Sequence, residues 1–161
     1  MTRRLLLQSG IALANGGSAA GDRTAEMAEY ARRIFQRANE LRVASGVGAL
    51  EWWDPLGRCA EQQSARKEKL RFPGHDDPER GNVSQRVNAA GITWDRCGEN
   101  LFSERGFEDP VHLAIVFWWY SPGHKENMLN PDYTRTGVGV VQGPDEMYFV
   151  TQIFLRPRTG K

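Results

Sequence analysis

The order of patterns along this chain predicts an α+β fold, with an antiparallel sheet held between helical layers. Helix-period stripes come first and paired strands come last. The two closing runs, "RTGVGVVQG" and "EMYFVTQIFL", flank Gly143-Pro144-Asp145, which reads as a hairpin turn. The last run is apolar on both faces. Tyr148, Val150 and Phe154 lie on one side, and Met147, Phe149 and Ile153 on the other, so the strand needs cover from two sides.

The first helix is expected from about Thr24 to Ser45. Met27, Ala31, Ile34, Ala38 and Leu41 recur at three- and four-residue spacings, and Gly46 is placed to stop the helix. "ALEWWDPLG" is an extended link. Asp54 followed by Pro55 signals a second helix, running to about Leu70. "RFPGHDDPERGN" is a turn-rich loop. Asn82 with Gln85 three residues later forms a capping-box pattern, with the helix ending near Gly91. "CGENLF" is expected as a short strand. Asp109-Pro110 then starts "VHLAIVFWWY", which is apolar nearly all round and therefore predicted to be buried on most sides. Ser121-Pro122-Gly123 stops that helix and turns the chain sharply into "HKENML".

Residues 1–20 are set apart from this pattern. Arg3 and Arg4, a short apolar stretch from Leu5 to Ala14 and a run of small residues are laid out like an export signal, and "TRRLLLQ" resembles a twin-arginine one. The expectation is a single domain over residues 21–161, secreted or periplasmic. The full chain has 161 residues, enough for one core. Its 21 basic and 20 acidic residues nearly cancel, so there is no electrostatic footprint for nucleic acid. No run approaches the ~20 apolar residues of a transmembrane segment. The two cysteines, Cys59 and Cys97, fit neither a zinc knuckle nor a CxxC pair. A disulfide between them is open to an exported protein; two unpaired core thiols are the other option.

The residues that can carry chemistry are few. Of the three histidines, His75 lies among glycine and aspartates in a loop, and His124 follows a tight turn. Both are at junctions where functional groups sit on a rigid scaffold. His112, in the first turn of a helix, reads as an ordinary helix residue. Glu99 stands between Gly98 and a greasy segment, so its carboxylate needs a partner, for which a histidine is a natural choice. Glu126 reads as solvated surface, Asn127 as a backbone-bonding side chain, and Trp118 and Trp119 mostly as core.

"GENLF", "WWYSPGHKENMLNPDYTRTGVGVV" and "YFVTQIF" together resemble the CAP superfamily of cysteine-rich secretory, antigen 5 and pathogenesis-related proteins, in its small bacterial form. The resemblance covers about residues 27 to 155. It implies a three-layer α-β-α sandwich with a central, mainly antiparallel sheet. It also implies a cleft lined by two histidines and one or two glutamates. Position by position these are His75, Glu99 and His124. Many members carry a second Glu on the helix before the last His; here Ser121 and Pro122 stand in that place.

Three functional readings follow. In the first, His75 and His124 bind Zn²⁺ or another divalent cation, with Glu99 as third ligand or as the group that fixes a histidine tautomer. A metal-dependent hydrolase is the catalytic extension of it, although there is no HExxH, serine elbow or Cys–His pair. In the second, implied by the resemblance, the protein is a secreted module for a sterol, a fatty acid or another protein. In the third, the histidines and Glu99 form a hydrogen-bonded cluster that only stabilises the cleft. No organic cofactor is expected.

Overall fold

In the computed structural model of the protein, residues 16–158 are described, with side chains from residue 21 onward. Five helices and four strands follow in the order α1 (Gly16–Ala44), β1 (Glu51–Trp52), α2 (Asp54–Leu70), α3 (Val83–Ala89), β2 (Trp94–Arg105), α4 (Pro110–Tyr120), α5 (Pro122–Leu129), β3 (Arg135–Gln142) and β4 (Met147–Pro157). The sheet order is β1-β3-β4-β2. β3 and β2 both pair antiparallel to β4, and only the two-residue β1 runs parallel to its neighbour β3. The fold is α+β with a mostly antiparallel sheet, as the strand arguments require.

Local signals account for most of the elements. Gly46 at φ +75° closes α1, with Val47 N–H reaching back to Arg42 O. Asn82 and Gln85 form the reciprocal capping box of α3. Asp109 accepts from Val111 N–H at the start of α4, with Pro110 behind it. Asp54 behaves differently from expectation: it is the first residue of α2, and its carboxylate takes the Trp52 indole N–H at 2.8 Å instead of capping. α1 begins eight residues earlier than predicted, so residues 16–20 of the expected export signal continue the helix. The remainder of that signal lies outside the described residues.

The apolar side chains form one cluster on each side of the sheet. Met27, Ile34 and Ala38 of α1, with Val111, Ala114 and Trp118 of α4, pack on Val138, Val140, Val150 and Phe154. Leu56, Cys59 and Ala60 of α2, with Val87 of α3, pack on Ile153 and Leu155. β4 is therefore greasy on both faces because it is covered on both. α2 lies so close to β3 that a Cβ on Gly137 or Gly139 would overlap the backbone of Gly57 or Glu61.

Two further elements differ from the sequence expectation. β2 spans 12 residues instead of a short "CGENLF" strand, because β4 is long enough to template it from Arg105 back to Trp94. α4 is not buried all round. Val111, Ala114 and Trp118 face the core, but Phe117 is 51% exposed and Tyr120 is 81% exposed. Its hydrophobicity has no helical period, so the pattern could not tell an inner from an outer face.

Candidate functional site

The site is built at the outer edge of the sheet, on β2. Successive strand residues point to opposite faces. Glu99 faces the α2–α3 layer and Asn100 the α5 layer, and both are buried. Because β2 has no strand beyond it, groups from the two layers meet around its open edge.

On the α2–α3 side, Glu99 is clasped from two directions. Arg86 of α3, equally buried, donates Nη2 to Glu99 Oε2. His75 places Nδ1 3.0 Å from Oε1. The loop carrying His75 is pinned from within. Lys67 Nζ donates to Phe72 O at 3.0 Å and Gly74 O at 2.8 Å. Arg86 Nη1 donates to His75 O at 3.1 Å, and Gln63 Nε2 to the same oxygen at 3.4 Å. Asp77 closes the loop by accepting from Arg66 and from the N–H groups of Glu79 and Arg80, and the Arg66 guanidinium holds its carboxyl down at about 2.

On the other side, Ser121 ends α4 and begins α5. Its hydroxyl lies 2.8 Å from His124 Nδ1 instead of capping the backbone. Ser121 occupies the region where the resemblance expects a second Glu, and it orients the ring without adding a carboxylate. The His124 imidazole stacks obliquely on Phe117, 5.5 Å between centroids. Asn100 Nδ2 donates to His124 O at 2.9 Å, and Asn127 Nδ2 donates to Asn100 Oδ1 at 3.0 Å and to Glu99 O at 3.2 Å. Gly98 completes the reading of "GEN": a Cβ there would stand 2.5 Å from Tyr133 Oη and 2.9 Å from Asn127 Oδ1. Gly98→Ala is therefore expected to displace both side chains and cost about 1–3 kcal/mol. Urea unfolding and the Asn127 side-chain amide resonances report the two effects.

The two imidazoles lie close enough to sense each other's charge. Burial first, and then repulsion from His75, pushes His124 below its ordinary value. A depressed folded value means that His124 contributes stability that is present above pH ~6.5 and is lost as pH falls through the folded value. Wild type is expected to lose more stability than His124→Gln between pH 7.5 and 5 in urea titrations.

In each ring Nδ1 is engaged, by Glu99 in His75 and by Ser121 in His124. That leaves the Nε2 lone pair of each ring for a cation. Both Glu99 oxygens are already used. Among the described residues, no group of three or more His, Cys, Asp and Glu is arranged to hold a metal ion. The donors left to a cation are therefore the two imidazoles, with water in its other positions. They do not make a closed four-ligand zinc site.

The family profile described as "CAP: Cysteine-rich secretory protein family" matches residues 35–154. The chain belongs to the CAP family. It is 30% identical over 125 residues to the uncharacterized membrane protein YlbC of Bacillus subtilis, covering 78% of this chain and 34% of YlbC. An extracellular SCP-domain protein of Bacillus anthracis superposes with a TM-score of 0.75 at 24% identity, over 92% of this chain and 45% of that one. NaASP2, solved with Zn²⁺, superposes at 0.59 with 14% identity, over 84% and 88%. This CAP domain thus spans about a third of YlbC and under half of the B. anthracis protein. No helix among the described residues is long and apolar enough to cross a membrane.

The fold brings His75 and Glu99 into contact, ties the His124 carbonyl to Asn100 on the same strand, and leaves His124 near enough to His75 to feel its charge. His112 stays exposed on α4, and Glu126 is exposed on α5, as expected. Both cysteines are free thiols in this structure. Cys59 is buried under Val87 and Ile153, and Cys97 lies 3.3 Å from Ser84 Oγ. Burial pushes both thiols up, so neither is an activated nucleophile. Arg86 is the residue sequence reasoning missed. Val83, Arg86, Val87 and Ala90 share one helical stripe, and an arginine inside an apolar stripe signals a buried cation in need of a carboxylate.

Proposed function

We propose that this CAP domain is an exported binding module whose His75–His124 pair takes a divalent cation such as Zn²⁺. The observation that carries this reading is the pre-oriented pair of rings, each with Nδ1 tied to the protein and Nε2 left for a ligand. Glu99 acts as the group that orients His75. With both oxygens engaged it is not a free base, so the reading is binding and not hydrolysis. A bound cation would supply a Lewis-acidic, hydrated centre at the cleft. The zinc present in NaASP2 and the extracellular character of the B. anthracis relative support the assignment.

Calorimetric titration of Zn²⁺ into residues 21–161 at neutral pH tests it. One-to-one binding is expected, lost in both His75→Ala and His124→Ala. Binding indifferent to both substitutions would sink the reading. A second reading, a sterol- or fatty-acid-binding module, is favoured by the exposed Phe117 against His124, with the exposed Tyr120 one turn further along α4. It predicts lipid binding that survives His124→Ala and chelator.

A further inference from the structure

The end of the sheet opposite β2 has a feature that the histidine cleft does not use. β1 is only two residues long and pairs with Arg135 and Thr136. It stops there because Asp54-Pro55 starts α2. Beyond Thr136 the outer edge of β3 has no strand beside it among the described residues.

The hydrogen-bond parity shows which groups that leaves. At the hairpin Gly143 N–H bonds Met147 O at 2.8 Å, so the odd-numbered residues of β3 face β4. Thr134 O and Thr136 O accept from Glu51 and Trp53 N–H, each at 2.8 Å, so the even-numbered residues face outward. Val138, Val140 and Gln142 therefore direct N–H and C=O away from the sheet, and nothing among the described residues pairs with them. This edge is not on the open surface. Val138 and Val140 are buried, and the edge forms the floor of a groove of 1110 Å³ walled by α1 and α2.

We propose that this groove binds an extended, acidic segment of a partner polypeptide, which adds to β3 as a fifth strand. Water can hydrate these backbone groups while the groove is empty, but a lipid tail that displaced the water would leave them unpaired. An extended peptide satisfies them in register. The helical walls rise on both sides of the edge, so a second folded sheet cannot reach it and a single strand can. A strand there sends alternate side chains to opposite walls. One set meets Met27, Ala31 and Phe35 of α1, and the other meets Arg58 of α2. Arg23 and Arg58 line the groove and form no ion pair among the described residues. Arg32, paired with Glu29, lines it too, and the lining carries these three guanidiniums against two carboxylates, Asp54 and Glu61, so the rim is cationic by one charge. Carboxylates on the incoming strand complement that rim.

The probe is an acetylated, amidated peptide of alternating valine and glutamate, titrated into the ¹⁵N-labelled full chain. The expected result is saturable shifts of the Val138, Val140 and Gln142 amides, with slowed hydrogen exchange at all three. A peptide N-methylated at alternate residues, in either register, is expected to bind about tenfold more weakly. Ala28→Trp, which plugs the groove from an exposed position on α1, should weaken binding to a similar degree and leave the fold intact. Equal binding of parent and N-methylated peptides would overturn the proposal. So would an absence of saturable shifts at these amides, or perturbation of them by palmitate and not by the peptide.

Discussion

Glu99→Ala is expected to lower stability by about 3–5 kcal/mol, because it strands the Arg86 guanidinium in the interior without a counter-charge. Arg86→Ala should cost a similar amount for the mirror reason. Replacing both together, as Arg86→Met with Glu99→Leu, should cost much less than either single change, since no charge is then left buried. Urea unfolding of the four proteins measures this. Single variants within about 1 kcal/mol of wild type would show that the pair is solvated and does not organise the site. The same substitution carries a functional readout. Without Glu99 the His75 ring loses the acceptor that sets its tautomer, and Zn²⁺ affinity is expected to fall about 10–100-fold. Glu99→Gln keeps a hydrogen-bond acceptor and should fall between the two in both measurements.

The second large effect lies under α2. Gly137→Ala and Gly139→Ala each drive a methyl group into helix backbone, at Gly57 and at Glu61. Backbone cannot rotate aside as a side-chain tip can, so α2 must lift from the sheet. Each change is expected to cost about 3 kcal/mol or more, the upper end for overpacking. At Gly139 the lift also strains the bonds from Ser64 Oγ to Gly139 O and to Thr151 Oγ1, at 3.0 and 2.8 Å. Thermal unfolding checks both variants. An unchanged midpoint would mean that the helix and sheet are more loosely packed than the glycines imply. Because α2 also carries Gln63 and Lys67, which hold the His75 loop, both variants should weaken metal binding without touching a ligand.

Much of this was legible along the chain. The stripe of α1, the capping box at Asn82 and the Asp109-Pro110 start are short-range signals, complete within one or two turns of helix. The two-faced apolarity of β4 was enough to require a layer on each side. Glu99 was recognisable as a carboxylate entering apolar surroundings, but its main partner was not. A histidine was the natural guess, and His75 does bind it, yet the buried counter-charge is Arg86. The outward face of α4 was hidden for the opposite reason: where every position is apolar, no period distinguishes core from surface.

The resemblance to the CAP superfamily, and not spacing, put His75, Glu99 and His124 in one cleft. Local patterns determined most helix boundaries, the start of α1 excepted, and which strand needs cover on both faces. Those properties depend on spacing and on the chemistry of near neighbours. Only the tertiary structure decided that β2 is an outer strand, that Glu99 and Asn100 therefore serve opposite layers, and that His75 bonds the first side chain while the His124 carbonyl accepts from the second. It also decided that β1 ends after two residues and leaves the far edge of β3 open. The physical reason is that strand order is settled by how the helical layers close over the sheet. That closure is a property of the whole packed chain, and no local period encodes it.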